Sequence, residues 1–246
     1  MTPESSGPRP LALVTGASRG LGEVLARVLA GEGFDLLLTA RDGPALDRVR
    51  AVAAARGGAA HAIPGDITDV ALRARLAQAV GPSRGLDLLV NNAATLGPTP
   101  LRSLIDLEPA ALEEIYRVNV VGPIALVRAL RPALRARRGL IVNLSSDAAV
   151  GGYPGWGGYG ATKAALDLVS LTLAHELAVD GISVVSVDPG DLRTPGAEPA
   201  FPPEEFRQRP SPEVTIPFWA WLLGQARPAI NGLRFQAQAE HWGVPP

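Results

Sequence analysis

The 246-residue chain carries 23 lysines and arginines against 24 aspartates and glutamates, a formal net charge of −1, and 47% of its residues are hydrophobic. That balance leaves no strong basic field to gather phosphates and argues against nucleic acid as a partner. The absence of cysteine excludes disulfides, thiolate nucleophiles and thiolate metal sites, and His61, His175 and His241 lie far apart with no carboxylate at a ligand spacing, so no metal site is expected.

Residues 1–9 include prolines and Glu4 but no basic region followed by an apolar run, so they are expected to form a disordered leader and not a signal peptide. Residues 10–246 suit one large α/β domain better than two small ones. Leu11–Thr15 reads as a strand and Gly20–Gly31 as the helix after it. Phe34–Ala40 and Pro44–Ala55 repeat the pair, then Ala60–Pro64 with Val70–Ala79, and Leu86–Asn91 with Pro109–Ala136. Leu140–Leu144 precedes a helix at Tyr159–Val179, and Ile182–Val187 and Leu233–Gln236 complete seven strands. Most of the strand runs are continuously apolar, as expected where helices cover both faces of a parallel sheet. The alternation predicts a single doubly wound Rossmann-type α/β domain, with ligands along the edge where the strands' C-terminal ends emerge.

Pro123 is expected to kink the fourth helix, because apolar periodicity continues through Ile124, Val127 and Leu130. The cluster Arg131, Arg135, Arg137 and Arg138 reads as a solvated helix end. Six prolines within residues 191–212 mark a surface loop or substrate lid. No run reaches the roughly 18 apolar residues that span a bilayer, so no membrane partner is expected and the chain is placed in the cytoplasm.

The first strand runs into Thr15-Gly16-Ala17-Ser18-Arg19-Gly20-Leu21-Gly22. Glycines at such a turn let the backbone approach a pyrophosphate, and the following helix offers unpaired amides and a positive dipole end. Tyr159 and Lys163 are four residues apart on one helix face and can converge on one ligand. A free phenol titrates at about 10, and an ammonium beside it favours the phenolate. Tyr159 can then give a proton to a nascent alkoxide or take one from an alcohol.

The TGxxxGxG spacing of Thr15–Gly22 resembles the short-chain dehydrogenase/reductase family, and the likeness continues along the chain. Asn91-Asn92-Ala93-Ala94 stands where that family has NNAG, with Ala94 in place of the last glycine. Asn119 falls in mid-helix, and Ser146 lies 13 residues before Tyr159-Gly160-Ala161-Thr162-Lys163. Asp188-Pro189-Gly190 with Thr194 then matches PGxxxT. The resemblance implies a catalytic set of Ser146, Tyr159, Lys163 and Asn119. Tyr159 would be the general acid/base, and Ser146, in preference to its neighbour Ser145, would hold the substrate oxygen. Lys163 would also bind the nicotinamide ribose, and the Asn119 carbonyl would hold a water continuing the proton relay.

The cofactor contacts implied are Gly16, Ser18, Arg19, Gly20, Leu21 and Gly22 in the loop and Asp66 and Ile67 after the third strand. Asn92, Ala93 and Ala94 follow the fourth, and Pro189, Gly190 and Thr194 the sixth, besides Tyr159 and Lys163. Asp66 competes with Thr68 and Asp69 for a helix cap. Arg41 at the end of the second strand, with Arg19, favours NADP(H), since arginine attracts a 2′-phosphate. Asp42 is the opposing signal and also reads as an N-cap.

Tyr153 and Trp156 either wall the substrate pocket or pack the lid, and Phe201 and Phe206 are candidates to close over the ligand. The expected activity is an NADP(H)-dependent oxidoreductase acting on a small-molecule carbonyl or secondary alcohol. The same residues fit a dehydratase or epimerase, whereas a non-catalytic NADP(H)-sensing protein would not need Tyr159 and Lys163. Family members pair through two long helices, so a homodimer or homotetramer is expected by resemblance, with Trp219, Trp221 and Trp242 supplying a second interface or core.

Overall fold

The computed structural model describes residues 8–81 and 83–243, so residues 1–7 of the expected leader lie outside the described residues. Arg9, which ends that stretch, donates to the Gly33 carbonyl at 3.0 Å and the Gly57 carbonyl at 2.7 Å, which ties it to the domain. Seven parallel strands form one sheet: β1 (Leu11–Thr15), β2 (Asp35–Thr39), β3 (Ala60–Ala62), β4 (Leu88–Asn91), β5 (Leu140–Leu144), β6 (Ser183–Asp188) and β7 (Arg234–Gln236). Their order is β3-β2-β1-β4-β5-β6-β7, a Rossmann-type doubly wound arrangement. The helices are α1 (Gly20–Gly31), α2 (Gly43–Ala54), α3 (Val70–Val80), α4 (Pro109–Tyr116), α5 (Gly122–Arg137), α6 (Ala148–Gly151), α7 (Gly157–Glu176), α8 (Pro203–Gln208), α9 (Ile216–Leu223) and α10 (Arg227–Ile230).

The central strands are mostly apolar because they serve two cores, whereas the edge strands β3 and β7 are partly exposed. Side chains alternate across the sheet, so Ala12 and Val14 of β1 pack with Leu25, Leu46 and Phe218 on one face. Leu11 and Leu13 pack with Leu72, Leu126 and Leu134 on the other. The C-terminal aromatics join the first core: the Phe218 ring lies 5.0–5.9 Å from those of Trp219, Trp221, Phe235 and Trp242.

The fourth helical pattern is interrupted, but not at Pro123 itself. A π-helical turn, Arg117–Val121, separates α4 from α5, and Pro123 occupies the first turn of α5, where a missing N–H costs least. Pro123 also has no N–H to return to the Asn119 carbonyl four residues back. At the other end of α5 the arginines are paired as well as solvated: Arg131 and Arg135 face Asp180, and Arg137 faces Asp87. The proline-rich segment 191–212 contains a turn of 3-10 helix (Glu198–Ala200) and α8, so it is more ordered than a plain loop.

The order of strands reverses between β1 and β4, and a crevice opens at their C-terminal ends. Backbone groups leaving the two strands lose their ladder partners there, and side chains replace them. Thr15 Oγ1 donates to the Val90 carbonyl and accepts from the amides of Asn92 and Ala93, each at 3.0 Å. Asn92 Nδ2 donates in turn to the carbonyls of Thr15 and Gly16. Thr15→Val keeps the volume but strands the Ala93 amide, while the Asn92 amide keeps its second acceptor, the Val90 carbonyl at 3.1 Å. At about 1–3 kcal/mol for a stranded donor, urea unfolding should show a loss of that order; an unchanged midpoint would mean the cross-tie carries no weight.

Candidate active site

The crevice is shaped by close backbone contact. Gly16 has φ +65°, and a Cβ on it would sit 2.8 Å from Asn92 Nδ2 and 2.9 Å from Ala93 Cα; at Gly22 a Cβ would collide with the Gly16 carbonyl. The loop therefore lies flat against the end of β4. The cleft beside it, about 540 Å³, is lined by Gly16, Ser18, Arg19, Gly20 and Leu21. Arg41, Asp66 and Ile67 line it from the second and third strands, with Asn92, Ala93, Ala94, Tyr159 and Thr194, whereas the predicted contacts Lys163, Pro189 and Gly190 do not. Gly22 does not line the cleft and acts through packing.

The competing capping roles separate cleanly. Asp42 accepts the Ala45 amide and caps α2, and Asp69 accepts the Ala71 amide and caps α3. Asp66 caps neither; it accepts from the amide and hydroxyl of Thr68 at 2.8 and 2.7 Å. Burial pushes this carboxyl up, but the Thr68 bonds and the charges of Arg41 and Arg117 outweigh it and hold its pKa below the ordinary value.

A second pocket of about 500 Å³ shares Leu21, Asn92, Ala94, Tyr159 and Thr194 with the cleft. Ser146, Lys163, Pro189, Gly190, Tyr153 and Trp156 also line it, so the predicted reacting and substrate-facing residues meet in one place. Asn119 lines neither space. Its buried side chain accepts the Thr95 amide and donates to the Thr95 carbonyl and to Thr162 Oγ1, which donates to the Tyr159 carbonyl at 2.6 Å. Ser146 Oγ donates to Asp147 at 3.0 Å and accepts the Ala148 amide. Trp156 packs edge-on to Tyr159 at 5.8 Å and against Phe201 at 5.3 Å, which links the proline-rich segment to the Tyr159 ring.

The proline-rich segment also contributes groups that sequence reasoning passed over. Arg209 lies 3.6 Å over the Phe201 ring, pairs with Asp191 and Glu205, and lines the pocket with them, whereas Phe206 does not. The i,i+4 spacing of Glu205 and Arg209 was the available signal. A second overlooked signal is compositional: Lys163 is the only lysine in the chain, beside 22 arginines.

The electrostatics depart from the simple picture of a phenol drawn down by its neighbour. Burial pushes Tyr159 well above its ordinary value; the neighbouring Ser146 hydroxyl opposes this, while Asp188 and Asp147 reinforce it. Lys163 Nζ donates to the Leu144 carbonyl at 2.6 Å and stands 5.4 Å from the Tyr159 ring centroid. Burial lowers it to about 8, with Asp167 opposing. With protein groups alone, desolvation therefore outweighs attraction between the pair. Among the described residues no cluster of three metal-ligating side chains occurs, and no helix is long and apolar enough to cross a membrane.

Comparison with known proteins agrees with this geometry. Residues 10–205 match the family model described as short chain dehydrogenase. The chain is 38% identical over 186 residues to serine 3-dehydrogenase of Agrobacterium fabrum, covering 74% of this chain and 72% of that protein. A short chain dehydrogenase of Shigella flexneri, solved with NADP, superposes with a TM-score of 0.85 at 28% identity, covering 94% of this chain and 97% of that one. A 3-ketoacyl-(acyl-carrier-protein) reductase of Brucella melitensis, solved with NADH, gives a TM-score of 0.82 at 29% identity and coverages of 92% and 96%.

The buried ammonium makes a stability test available. The native state holds the Lys163 proton less tightly than the unfolded chain, so wild-type stability should rise as pH climbs from about 8 towards about 10.5. Lys163→Met lacks this gain. The stability difference between the two, from urea unfolding at pH 7 and pH 9.5, should move in favour of the wild type by roughly 1.4 kcal/mol per pH unit above pH 8. A difference independent of pH would place the lysine in an ordinary, solvated environment.

Proposed function

The chain belongs to the short-chain dehydrogenase family, and from that premise we propose that it is an NADP(H)-dependent oxidoreductase acting on a small carbonyl or secondary alcohol. The carrying observation is that Ser146, Tyr159 and Lys163 line one pocket, and that this pocket shares Tyr159 with the glycine-loop cleft. When bound, the dinucleotide supplies or accepts the hydride. The loop Gly16–Gly22 and the N-terminus of α1 suit its pyrophosphate, and Asp66 suits the adenine.

The preference for a 2′-phosphate rests on Arg19 and Arg41, both exposed at the cleft wall. Asp42, the carboxylate that would oppose it, is engaged in capping α2. In the proposed mechanism Ser146 turns its hydroxyl from Asp147 to the substrate oxygen, and Tyr159 hands that oxygen a proton in reduction. Lys163 reaches the ribose and the proton path beyond the phenol. Asn119 holds the π-turn in place through Thr95 and Thr162, and its carbonyl, to which Pro123 cannot donate, is the docking point for a relay water. A purely NADP(H)-sensing role would leave the cost of the buried Lys163 charge unexplained. Exposed apolar side chains on the paired helices, Leu168 and Leu171 on α7 with Val121 and Ile124 at the start of α5, support a homodimer or homotetramer.

Fluorescence titration should show NADPH binding more tightly than NADH, and Arg41→Asp should weaken NADPH selectively by placing a carboxylate at the 2′-phosphate. Equal affinities in the wild type would refute the cofactor assignment. A panel of aldehydes and ketones assayed with NADPH would identify a substrate for the second test. Tyr159→Phe keeps the ring and its packing against Trp156, so folding and NADPH binding should persist while turnover falls by about 10²–10⁴ or more. Near-wild-type turnover in that variant would remove Tyr159 from the chemistry.

A further inference from the structure

Arg234, on the edge strand β7, faces three segments of the site at once. Its Nε donates to Asp167 Oδ2 at 2.9 Å, and its Nη2 donates to the Ser146 carbonyl at 3.0 Å and lies 3.4 Å from Asp188 Oδ2. Each partner belongs to a different element. Asp167 stands one turn beyond Lys163 on α7, Ser146 follows β5, and Asp188 ends β6, where it accepts the Gly190 amide at 2.9 Å. The two carboxylate side chains are only 18% and 3% exposed, so their charges are poorly screened by water. A planar guanidinium can reach acceptors in several directions from one fixed fork, which a flexible ammonium cannot.

We propose that Arg234 is a positioning residue for this site: it tethers the Ser146 loop, the Tyr159–Lys163 helix and the Asp188 turn to one another, and it supplies the counter-charge for the two carboxylates behind them. The importance of those segments rests on the reading of Ser146, Tyr159 and Lys163 given above, but the charge balance does not. Three carboxylates act on the pair: Asp167 from the same helix raises Lys163, while Asp188 from β6 and Asp147 from the loop after β5 raise Tyr159. Arg234 is ion-paired to two of the three. Without it, Asp167 would act on the ammonium with its full charge, and Asp188 would lie buried without a cation.

Lys163 is the chain's single lysine, so isotope-labelled lysine in the full-length protein gives one side-chain signal, and its pH titration needs no substrate and no turnover. The wild-type midpoint is expected at about 8. In Arg234→Gln it should rise by roughly one pH unit, because an opposing cation is lost and an anion is unmasked. Arg234→Lys, which keeps the charge and adds a second lysine signal told apart by its absence from the wild-type spectrum, should bring the Lys163 midpoint back towards the wild type. Should the glutamine variant not fold, Asp167→Asn tests the same balance with the opposite sign, and its midpoint should fall. An unmoved midpoint in Arg234→Gln or Asp167→Asn, or a lysine variant that titrates like the glutamine one, overturns the proposal. Failure of the catalytic reading is a separate result, seen as turnover that survives Tyr159→Phe while the lysine titration still responds to Arg234.

Discussion

The site depends on how closely β1 and β4 are held where the strand order reverses. At that point the backbone must leave the sheet in two directions, and its polar groups must find new partners. The Thr15 hydroxyl and the Asn92 amide supply them, and glycine at 16 and 22 lets the segments touch. From this cross-tie the chain and a run of hydrogen bonds continue to the backbone of Tyr159. Residues 93–95 follow Asn92, Thr95 is clamped by Asn119, Asn119 bonds Thr162, and Thr162 bonds the Tyr159 carbonyl. The glycine loop and Tyr159 are thus placed by one connected polar network, although more than 130 residues separate them in sequence.

The basic residues divide by chemistry. Arginine occupies the ion pairs with Asp35, Asp87, Asp167, Asp180 and Asp188, where a permanently charged planar fork suits a carboxylate. The one lysine occupies a buried position where the donor is a compact point on a flexible stem and its proton can be lost near neutral pH. An arginine at 163 would remain charged in that dry setting and would bring its planar head against the Leu144 carbonyl. In a chain that otherwise uses arginine throughout, the position of its only lysine is itself a functional signal.

Much of this was legible in the sequence because it rests on local pattern. Continuous apolar runs mark the central strands, buried on both faces, and the edge strands β3 and β7, which are partly exposed, also lie within the expected ranges. The glycine loop and the Ser146, Tyr159 and Lys163 spacings bring their residues to adjoining spaces because each follows directly from the end of a strand or the face of a helix. What was not legible depends on distant partners. The π-turn before Pro123 reflects tertiary bonding of Asn119 to Thr95 and Thr162, which no helical period encodes. The Asp188–Arg234 pair joins residues 46 apart on adjacent strands, and Arg209 enters the pocket wall only because the proline-rich segment packs Phe201 against Trp156. The order of the two effects on Tyr159 was hidden for the same reason, since desolvation depends on the whole enclosure while attraction to Lys163 can be read from spacing alone.

That order bears on the direction of proton transfer in the proposed mechanism. Burial, Asp147 and Asp188 keep the phenol protonated, and the Ser146 hydroxyl and the nearby Lys163 ammonium favour the phenolate without outweighing them. Such a group is ready to donate, as carbonyl reduction requires. To accept a proton from an alcohol it needs additional positive charge nearby, and an oxidised nicotinamide carries it while a reduced one does not. The same tyrosine can therefore serve as acid or base according to which cofactor form occupies the cleft, and the protein's contribution is to hold the phenol on the acid side by default. Arg234 enters this balance through Asp188, since the ion pair favours the ionised carboxylate while its own positive charge stands against that anion.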